Sequence, residues 1–205
     1  MTELVLASAS PARHTLLINA GVVPQVVVSN VDEDALIAEL GPLPPADLCL
    51  ALAQAKARDV AGRLTSTHDV IVIGCDSMLD VGGVAYGKPA SAQEAKERWL
   101  RDMAGGSGVL RTGHWLVRPS TGAELGEVAS TTVVHASPSE REIDAYIATG
   151  EPLRVAGGFT LDGLGGPFVE RIEGDPSNVI GLSLPLLRVL LGRLGITWTD
   201  LWSSP

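Results

Sequence analysis

The stretch DVIVIGCDS at residues 69–77 places an almost unbroken apolar run directly before an aspartate, Asp76. Such a run is typical of a β-strand buried on both faces, as in the parallel sheets of α/β proteins. Functional polar side chains in these proteins lie at the carboxyl ends of the strands. We therefore predict a buried strand over residues 69–75 that presents Asp76 at its carboxyl end.

Strand-like and helix-like segments alternate on both sides of this run. The predicted strands cover residues 4–8, 23–29, 109–119 and 124–136, with a hairpin at 78–89 around Gly82-Gly83. The predicted helices run from Ser10-Pro11 to Gly21, over 31–40, from Pro44-Pro45 to Leu64, over 91–105, over 137–150 with Ser137 as N-cap, and over 180–194. This interleaving predicts an α/β fold with a mixed sheet.

The composition indicates a globular chain with a sizeable core. Among the 205 residues, 45% are apolar and 19% are charged, which excludes a disordered protein. No apolar run approaches the roughly 18–20 residues that span a bilayer, and we expect no secretory signal. Cys49 and Cys75 lack metal-binding spacing, so we expect two small core residues in a reduced, cytoplasmic compartment. We expect one domain over residues 1–205, which two packed lobes would also fit.

The net charge is acidic, at −9 from 15 basic and 24 acidic residues. A general nucleic-acid binder normally carries a basic surface, so this balance argues against nucleic acid as a partner. It leaves room for a small anionic substrate, because a few converging basic groups or a divalent cation can bind phosphate locally.

The turn between the first strand and the first helix is one candidate phosphate site. Free backbone N–H groups at the helix start, the hydroxyls of Ser8 and Ser10, and the guanidinium of Arg13 would suit an anion. The alternative is an ordinary capped helix with a surface arginine. The sequence lacks the G-x-x-x-x-G-K pattern of a P-loop.

Asp76 and a scattered set of charges form the remaining candidates. A carboxylate after a buried strand is costly unless a cation, a hydrogen-bond network or catalysis uses it, although it can also cap a turn. Glu33, Lys56 and Lys88 are each either functional or solvated surface charges, and Lys88 lies in a constrained Gly-Lys-Pro turn. The glycine-rich segment 156–169 is either a flexible substrate loop or a series of turns.

Several motifs are missing from the sequence. The four histidines are isolated and show no metal-ligand spacing such as H-E-x-x-H. No G-x-S-x-G elbow supports a serine hydrolase. From the residues alone, the prediction is an α/β protein with an anion-and-metal site.

Taken in order, the segments resemble the Maf family, the septum-formation-inhibitor-like nucleotide pyrophosphatases. The resemblance covers nearly the whole chain, and the form V-A-G-G-F-T-L-D-G-L-G-G looks most like the actinobacterial branch. Nine motifs carry it: L-A-S-A-S-P-A-R at 6–13, V-D-E at 31–33, A-x-A-K-A at 53–57, I-G-C-D-S at 73–77, G-K-P at 87–89, T-G-H at 112–114, Y-I-A-T-G-E-P-L-R-V-A-G at 146–157, G-L-G-G at 163–166 and N-V-I-G-L-S-L at 178–184.

The resemblance implies hydrolysis of nucleoside triphosphates between the α and β phosphates, which yields a monophosphate and pyrophosphate. The family is thought to remove non-standard nucleotides and is linked to arrest of septum formation. It implies an elongated, two-lobed α/β fold with a mixed sheet and a central cleft, similar to the inosine-triphosphate pyrophosphatase fold. It also implies a homodimer.

The resemblance further implies roles for individual residues. Asp76 matches the catalytic aspartate, which accepts a proton from water, binds the metal, or does both. Glu33 matches a second acidic position that would hold Mg²⁺ or Mn²⁺.

The basic and hydroxyl residues are assigned to the phosphates in the same way. Ser8, Ser10 and Arg13 would grip phosphate at the first helix, and Lys56 and Lys88 would stabilise negative charge that develops on the polyphosphate.

Three positions depart from the family's pattern, and all three are linked there to base choice. Ala12 stands where arginine or tryptophan is usual, Ser77 where threonine or glutamine is frequent, and Asp162 where glutamine or glutamate is usual. We therefore assign no base preference and expect broad specificity.

Two other classes of function compete with the pyrophosphatase. One is a nucleotide-binding regulator of cell division that needs no turnover, and the other is a plain phosphatase or nucleotidyltransferase. The released product separates them: we expect pyrophosphate from the pyrophosphatase, orthophosphate from a phosphatase, and no product from the regulator.

Overall fold

The computed structural model describes residues 2–65 and 68–202 of the chain. Seven strands in this part form one sheet. They are β1 (Glu3–Leu6), β2 (Gln25–Val26), β3 (Val70–Val81), β4 (Val84–Tyr86), β5 (Ser107–Arg118), β6 (Ala123–His135) and β7 (Val169–Glu173). Their order is β2-β1-β3-β5-β6-β7, and β4 pairs with β3.

The sheet is mixed, as predicted. β1 runs parallel to both β2 and β3, with Leu4 opposite Ile71 and Leu6 opposite Ile73. The pairs β3–β4 and β6–β7 are antiparallel. Together with the helices, this arrangement confirms the predicted α/β fold.

The described residues also form seven α-helices. They are α1 (Pro11–Asn19), α2 (Glu33–Leu40), α3 (Pro45–Arg63), α4 (Ala92–Arg98), α5 (Glu140–Ala148), α6 (Pro176–Ile180) and α7 (Leu184–Arg193). A π-helical turn, Trp99–Met103, follows α4 directly. The side chains of Ser10, Asp32 and Ser91 cap α1, α2 and α4, because each accepts a hydrogen bond from a free backbone N–H of the first turn.

The chain divides into two compact units. The first unit contains the described residues of Met1–Asp76, Thr112–Ala129 and Gly181–Pro205, and the second contains Ser77–Arg111 and Ser130–Ile180. Asp76 is thus the last residue of the first unit's opening segment. The expected single domain, with two lobes around a cleft, stays a prediction.

The first unit has apolar packing on both faces of its strands. On β3, Ile71, Ile73 and Cys75 belong to one core cluster, which also includes Leu17 of α1 and several leucines of α7. Val70 and Val72 point to the other face and pack with Ala57 and Val60 of α3. This alternation follows from the two-residue period of a strand, and it explains why the whole run is apolar.

The second unit has a core rich in aromatic rings. Trp99, Tyr146 and Phe159 pack there with Leu79 and Met103, among other apolar side chains. The indole Nε1 of Trp99 donates a hydrogen bond to the carbonyl oxygen of Gly158 at 3.0 Å. This bond joins the end of α4 to the glycine-rich segment.

Two predicted strand lengths were wrong. β3 does not end at Cys75 but continues to Val81, because Met78 and Leu79 are also buried and its last residues pair with β4. Asp76 therefore lies inside β3, although beyond the end of β1. The predicted strand 23–29 is reduced to Gln25–Val26, because its partner β1 ends at Leu6.

The starts of two predicted helices also differ. Ser139, not Ser137, caps α5, because Ser139 and Glu142 form a reciprocal capping box. The predicted helix 180–194 begins only at Leu184, where the Ser183 side chain accepts the N–H of Leu186. Gly181 (φ +127°) separates α7 from the short α6, and neither α6 nor β7 was predicted.

Within residues 2–65 and 68–202, no helix combines the length and apolar character that a membrane span requires. Both cysteines are buried and unbonded to each other, as expected for core residues.

Candidate active site

Asp76 is placed by the alternation of side chains along β3. Val70 and Val72 face α3, and the two-residue period puts Gly74 and Asp76 on that same face. A Cβ atom on Gly74 would stand 2.2 Å from the carbonyl oxygen of Ala53 and 2.7 Å from the backbone nitrogen of Ala57. The glycine therefore lets the backbone of α3 rest directly on the strand, beside Asp76.

Lys56 of α3 joins the two predicted acidic residues. Its Nζ lies 2.6 Å from Oδ1 of Asp76 and 3.0 Å from Oε1 of Glu33, the first residue of α2. Lys56 and Asp76 are buried, with 7% and 8% of their surfaces exposed, whereas the Glu33 side chain is 48% exposed. The three predicted residues are thus brought together, and the alternative that Lys56 is a solvated surface charge is excluded.

The electrostatic balance at Asp76 is dominated by burial. Burial raises the pKa of Asp76 above its ordinary value, because a carboxylate loses its hydration there. The positive charges of Lys56 and Arg13 act in the opposite direction, and the negative charge of Glu33 adds to the rise. A carboxyl of this kind is a typical acid–base or cation-binding group.

The turn between β1 and α1 forms the other side of this region. Ser10 caps α1 by accepting a hydrogen bond from the N–H of Arg13 at 3.4 Å, as predicted. The hydroxyl of Ser8 accepts bonds from the N–H of Ser10 at 3.2 Å and from Nη1 of Arg13 at 3.1 Å. The turn is therefore tied together by its own side chains.

Arg13 connects this turn to the strand that carries Asp76. Its Nη1 donates to the carbonyl oxygen of Cys75 at 3.0 Å, and its Nε donates to the carbonyl oxygen of Gly181 at 2.7 Å. These bonds fix the guanidinium beside Asp76, where its charge lowers the cost of the buried carboxylate. Arg13 is thus anchored to the backbone at Cys75 and Gly181 and is not an ordinary surface arginine.

The donor set of this region suits a hard divalent cation. Mg²⁺ is usually held by one or two carboxylates together with substrate phosphates, and Glu33 and Asp76 offer such a pair. Among residues 2–65 and 68–202, no three His, Cys, Asp or Glu side chains gather into a metal-binding group. Two carboxylates, as here, suit a cation that also takes ligands from a substrate phosphate.

The structure also describes four further predicted residues. Lys88 is exposed just before the buried Pro89, Ser77 follows Asp76 on β3, and Asp162 is exposed in the glycine-rich segment, all three in the second unit. Ala12 is half-buried in the first turn of α1, in the first unit. Their assigned roles stay predictions.

The glycine-rich segment is held in place by Glu151, a residue that was not predicted from the sequence. Oε1 of Glu151 accepts hydrogen bonds from the Thr160 hydroxyl, from the Tyr146 hydroxyl at 3.2 Å and from the N–H of Gly165 at 3.2 Å. A Cβ atom on Gly163 would stand 2.8 Å from both carboxylate oxygens. Residues 160–165 thus form a pinned turn, which argues against the alternative of a flexible loop.

The pKa of Glu151 reflects this cage of donors. Burial raises the pKa, but the hydrogen bonds from Thr160, Leu164, Gly165 and Tyr146 outweigh burial and lower it overall. The carboxylate is therefore held in its ionised, accepting form. The signal in the sequence was the glutamate within T-G-E-P, nine residues before Thr160.

His114 has a structural role. Its Nε2 accepts the backbone N–H of Ser183 at 2.8 Å, so the ring is neutral and its Nδ1 donates to the carbonyl oxygen of Thr112 at 2.9 Å. The ring is fully buried and joins β5 to the start of α7.

Comparison of the sequence with known proteins places the chain in a family. A family model described as Maf-like protein matches residues 3–194. A Rhodococcus erythropolis protein named "Nucleoside triphosphate pyrophosphatase" is 53% identical over 210 residues, which cover 100% of this chain and 98% of that protein.

Two further relatives carry the same name. A Salinispora tropica protein is 55% identical over 203 residues, which cover 98% of this chain and 88% of that protein. A Streptomyces coelicolor protein is 54% identical over 201 residues, which cover 98% of this chain and 95% of that protein. These sources are actinobacteria, so the resemblance to the actinobacterial branch is confirmed.

Proposed function

The chain belongs to the Maf family, and from this premise we propose that it hydrolyses nucleoside triphosphates to the nucleoside monophosphate and pyrophosphate. The observation that carries the proposal is the trio in which buried Lys56 bridges buried Asp76 and the half-exposed Glu33, next to the turn that holds Arg13. Hydrolysis of a phosphoric anhydride needs a proton acceptor, charge neutralisation and alignment, and this region offers groups for each.

Asp76 is assigned the central role. Its carboxylate would accept a proton from the attacking water, hold the divalent cation, or do both. Glu33 would share the cation, which would be Mg²⁺ or Mn²⁺. When bound, such an ion neutralises charge on the phosphate oxygens and orients them.

The positive side chains are assigned to the phosphates. Arg13 and Lys56 lie beside Asp76, and Lys88 would approach the polyphosphate from its constrained turn. Ser8 and Ser10 would contribute at the start of α1, where the free N–H groups favour an anion. These fixed positive groups would stabilise the negative charge that develops on the phosphate oxygens during hydrolysis.

The buried carboxylate favours an enzyme over a nucleotide-binding regulator of septum formation. A protein that only binds a polyphosphate gains nothing from a buried negative charge beside it, because the two repel each other. A carboxylate at this place is useful when it handles a proton or a metal ion. The regulator remains the alternative that the assay below separates from the enzyme.

Base choice, assembly and compartment belong to the same proposal. The small side chains Ala12 and Ser77, with Asp162, favour broad specificity that includes non-canonical or modified nucleotides. We further propose a homodimer, tested by light scattering, and a cytoplasmic location, tested by fractionation of the source cell. The acidic charge continues to argue against nucleic acid as a partner.

One assay tests the proposed function. Purified protein with Mg²⁺ or Mn²⁺ is given canonical and modified triphosphates, and pyrophosphate and orthophosphate are measured separately. We expect pyrophosphate in equimolar amount with the monophosphate, and a chelator should abolish turnover until the metal is restored. Orthophosphate as the first product would assign a phosphatase, and binding without any product would assign the regulator.

A further inference from the structure

The ammonium of Lys56 lies between two carboxylates, those of Asp76 and Glu33. One ammonium nitrogen contacts an oxygen of Asp76 at 2.6 Å and an oxygen of Glu33 at 3.0 Å. Both oxygens lie within contact distance of a single positive centre. A cation that used this pair of oxygens would have to enter the space that the ammonium fills.

The surroundings hold the ammonium there. Lys56 is buried, and the contact of α3 with Gly74 fixes the distance between the helix and β3. Two carboxylates share one lysine, so this group of three side chains carries one excess negative charge. A second cation could be accommodated electrostatically, but it would be repelled strongly by an ammonium at van der Waals distance.

We propose that the ammonium of Lys56 is a built-in competitor for the divalent cation, so that the cation binds Glu33 and Asp76 only after Lys56 leaves at least one of them. This inference rests on the proposed function, because it takes these two carboxylates as the cation's ligands. The polyphosphate of a nucleotide offers Lys56 another partner. Metal and nucleotide therefore bind cooperatively. By thermodynamic linkage, each ligand raises the affinity for the other by the same factor.

The first test measures binding of Mn²⁺ alone, without nucleotide, from the electron paramagnetic resonance signal of the free ion at pH 8. Lys56→Met removes the competing charge and keeps an unbranched side chain. We expect this variant to bind Mn²⁺ at least about tenfold more tightly than the natural chain, although it should lose turnover. Lys56→Arg keeps the charge and should bind as weakly as the natural chain.

Lys96 provides a matched control. Its Nζ also bridges two carboxylates, Oε1 of Glu140 at 2.8 Å and Oδ1 of Asp144 at 2.7 Å, but both partners are more than half exposed. Lys96→Met should leave Mn²⁺ binding unchanged, because freeing an exposed pair creates no built site. Adding Glu33→Gln to Lys56→Met should remove the gained affinity, which locates the ion at the proposed pair.

The second test needs no variant and covers the case in which Lys56→Met fails to fold. The chain has three lysines, Lys56, Lys88 and Lys96, and their modification by an amine-reactive reagent is followed by mass spectrometry. Buried Lys56 should react slowly, react faster when saturating Mn²⁺ displaces it, and slow again when inorganic tripolyphosphate is added. Lys96 should not respond to Mn²⁺.

The outcomes separate this inference from the proposed function. Equal Mn²⁺ affinity of a folded Lys56→Met and the natural chain overturns the inference, and so does unchanged Lys56 labelling at saturating Mn²⁺. Pyrophosphate release by the natural chain would still stand in either case. If Mn²⁺ exposes Lys56 but the chain releases no pyrophosphate, the proposed function fails and the competition between the two cations stands.

Discussion

Gly74 of β3 lies so close to Ala53 of α3 that a side chain at position 74 has no room. A Cβ atom there would stand 2.2 Å from the Ala53 carbonyl oxygen, a distance that real Cβ contacts do not show. The Ala57 backbone nitrogen would be 2.7 Å away. Both are backbone atoms of a helix, so they cannot rotate away as a side chain could. The glycine therefore sets the distance between α3 and β3. That distance in turn allows the ammonium of Lys56 to contact Asp76.

Gly74→Ala should push α3 away from β3. We expect the free energy of unfolding, measured by urea denaturation, to fall by at least about 1–3 kcal/mol, because overpacking forces a backbone shift. Turnover per folded molecule should also fall, because Lys56 moves from Asp76. Gly62→Ala is the control: a Cβ atom on Gly62 of α3 would meet nothing within 4 Å apart from its own helix backbone and chain neighbours, and alanine there should stabilise the helix by up to about 1 kcal/mol. A Gly74→Ala variant as stable as the natural chain would contradict this account.

Asp76→Asn should lower kcat by at least about 10²-fold, the usual size for loss of a general base. The amide keeps the shape of the side chain but cannot accept the proton or bind the cation strongly. Asp80→Asn is the matched control on the same strand, because Asp80 is also buried and pairs with Arg111 at 2.7 Å. It should cost stability while leaving the kcat of the folded fraction near the natural value. Near-natural turnover of Asp76→Asn would refute the assignment.

Arg13→Ala should weaken both substrate binding and the fold around the first turn. The change removes donors from the Cys75 and Gly181 carbonyl oxygens and from the Ser8 hydroxyl. We expect a higher KM with pyrophosphate still the product, together with a lower melting temperature. Unchanged kinetics with a lower melting temperature would leave Arg13 a purely structural role.

Glu151→Ala should release the pinned turn of residues 160–165. The N–H of Gly165 loses its bond to Oε1 of Glu151, so its hydrogen exchange should accelerate by at least about tenfold. Glu151→Gln keeps an accepting oxygen and should restore much of the protection. Glu142→Ala removes the capping carboxylate of α5 in the same unit and should leave the exchange of Gly165 unchanged. Equal exchange in all the variants would show that Glu151 does not hold the turn.

His135 should make the fold sensitive to mild acid. Its buried ring packs edge-on against Trp99 and Phe159, and neither ring nitrogen has a hydrogen-bond partner among the described residues. Burial lowers the pKa of His135 to about 4, because the charged ring would lose its hydration, although the nearby backbone of Gly106 acts in the opposite direction. Below pH 6.5, His135 therefore becomes protonated in the unfolded chain, where its pKa is the ordinary 6.5, but stays neutral in the folded protein until about pH 4.

The sign of the pH effect follows from these two pKa values. Above pH 6.5 neither state is protonated at His135, so its contribution to stability is complete. Between pH 6.5 and about 4 only the unfolded chain takes up the proton, and the free energy of unfolding should fall by about 3 kcal/mol in total. His135→Phe should flatten this part of the pH profile in chemical denaturation. An unchanged slope in that variant would assign the acid sensitivity to other groups.

The sequence predicted the class of the fold and most elements, because apolar periodicity and capping residues are local signals. It failed where a partner decides the length of an element. β3 continues past Asp76 because β4 pairs with its last residues, and β2 is short because β1 ends at Leu6. The cap of α5 was misplaced by two residues, since Ser137 and Ser139 are both good N-caps and only the Glu142 contact separates them.

The candidate site was predictable in composition but not in arrangement. The motifs pointed to Asp76, Glu33 and Lys56 as separate residues, and the sequence left each with a surface alternative. The three side chains come together because α3 packs closely against Gly74. The sequence hint of this close packing was the small residues Ala53 and Ala57 on either side of Lys56. The glutamate of T-G-E-P was visible in the sequence, but its role was missed because the sequence does not show which groups, such as the N–H of Gly165, bind to it.

The two buried thiols have a practical consequence for experiments on this protein. Burial raises the pKa of Cys75 to about 11, and Cys49 is enclosed with its Sγ donating to the carbonyl oxygen of Ala46 at 3.2 Å. Thiol-reactive reagents should therefore react very slowly with both residues in the folded state. A cysteine introduced on the surface, for example at the exposed Asp162, would accept a fluorophore or spin label without prior removal of the natural thiols.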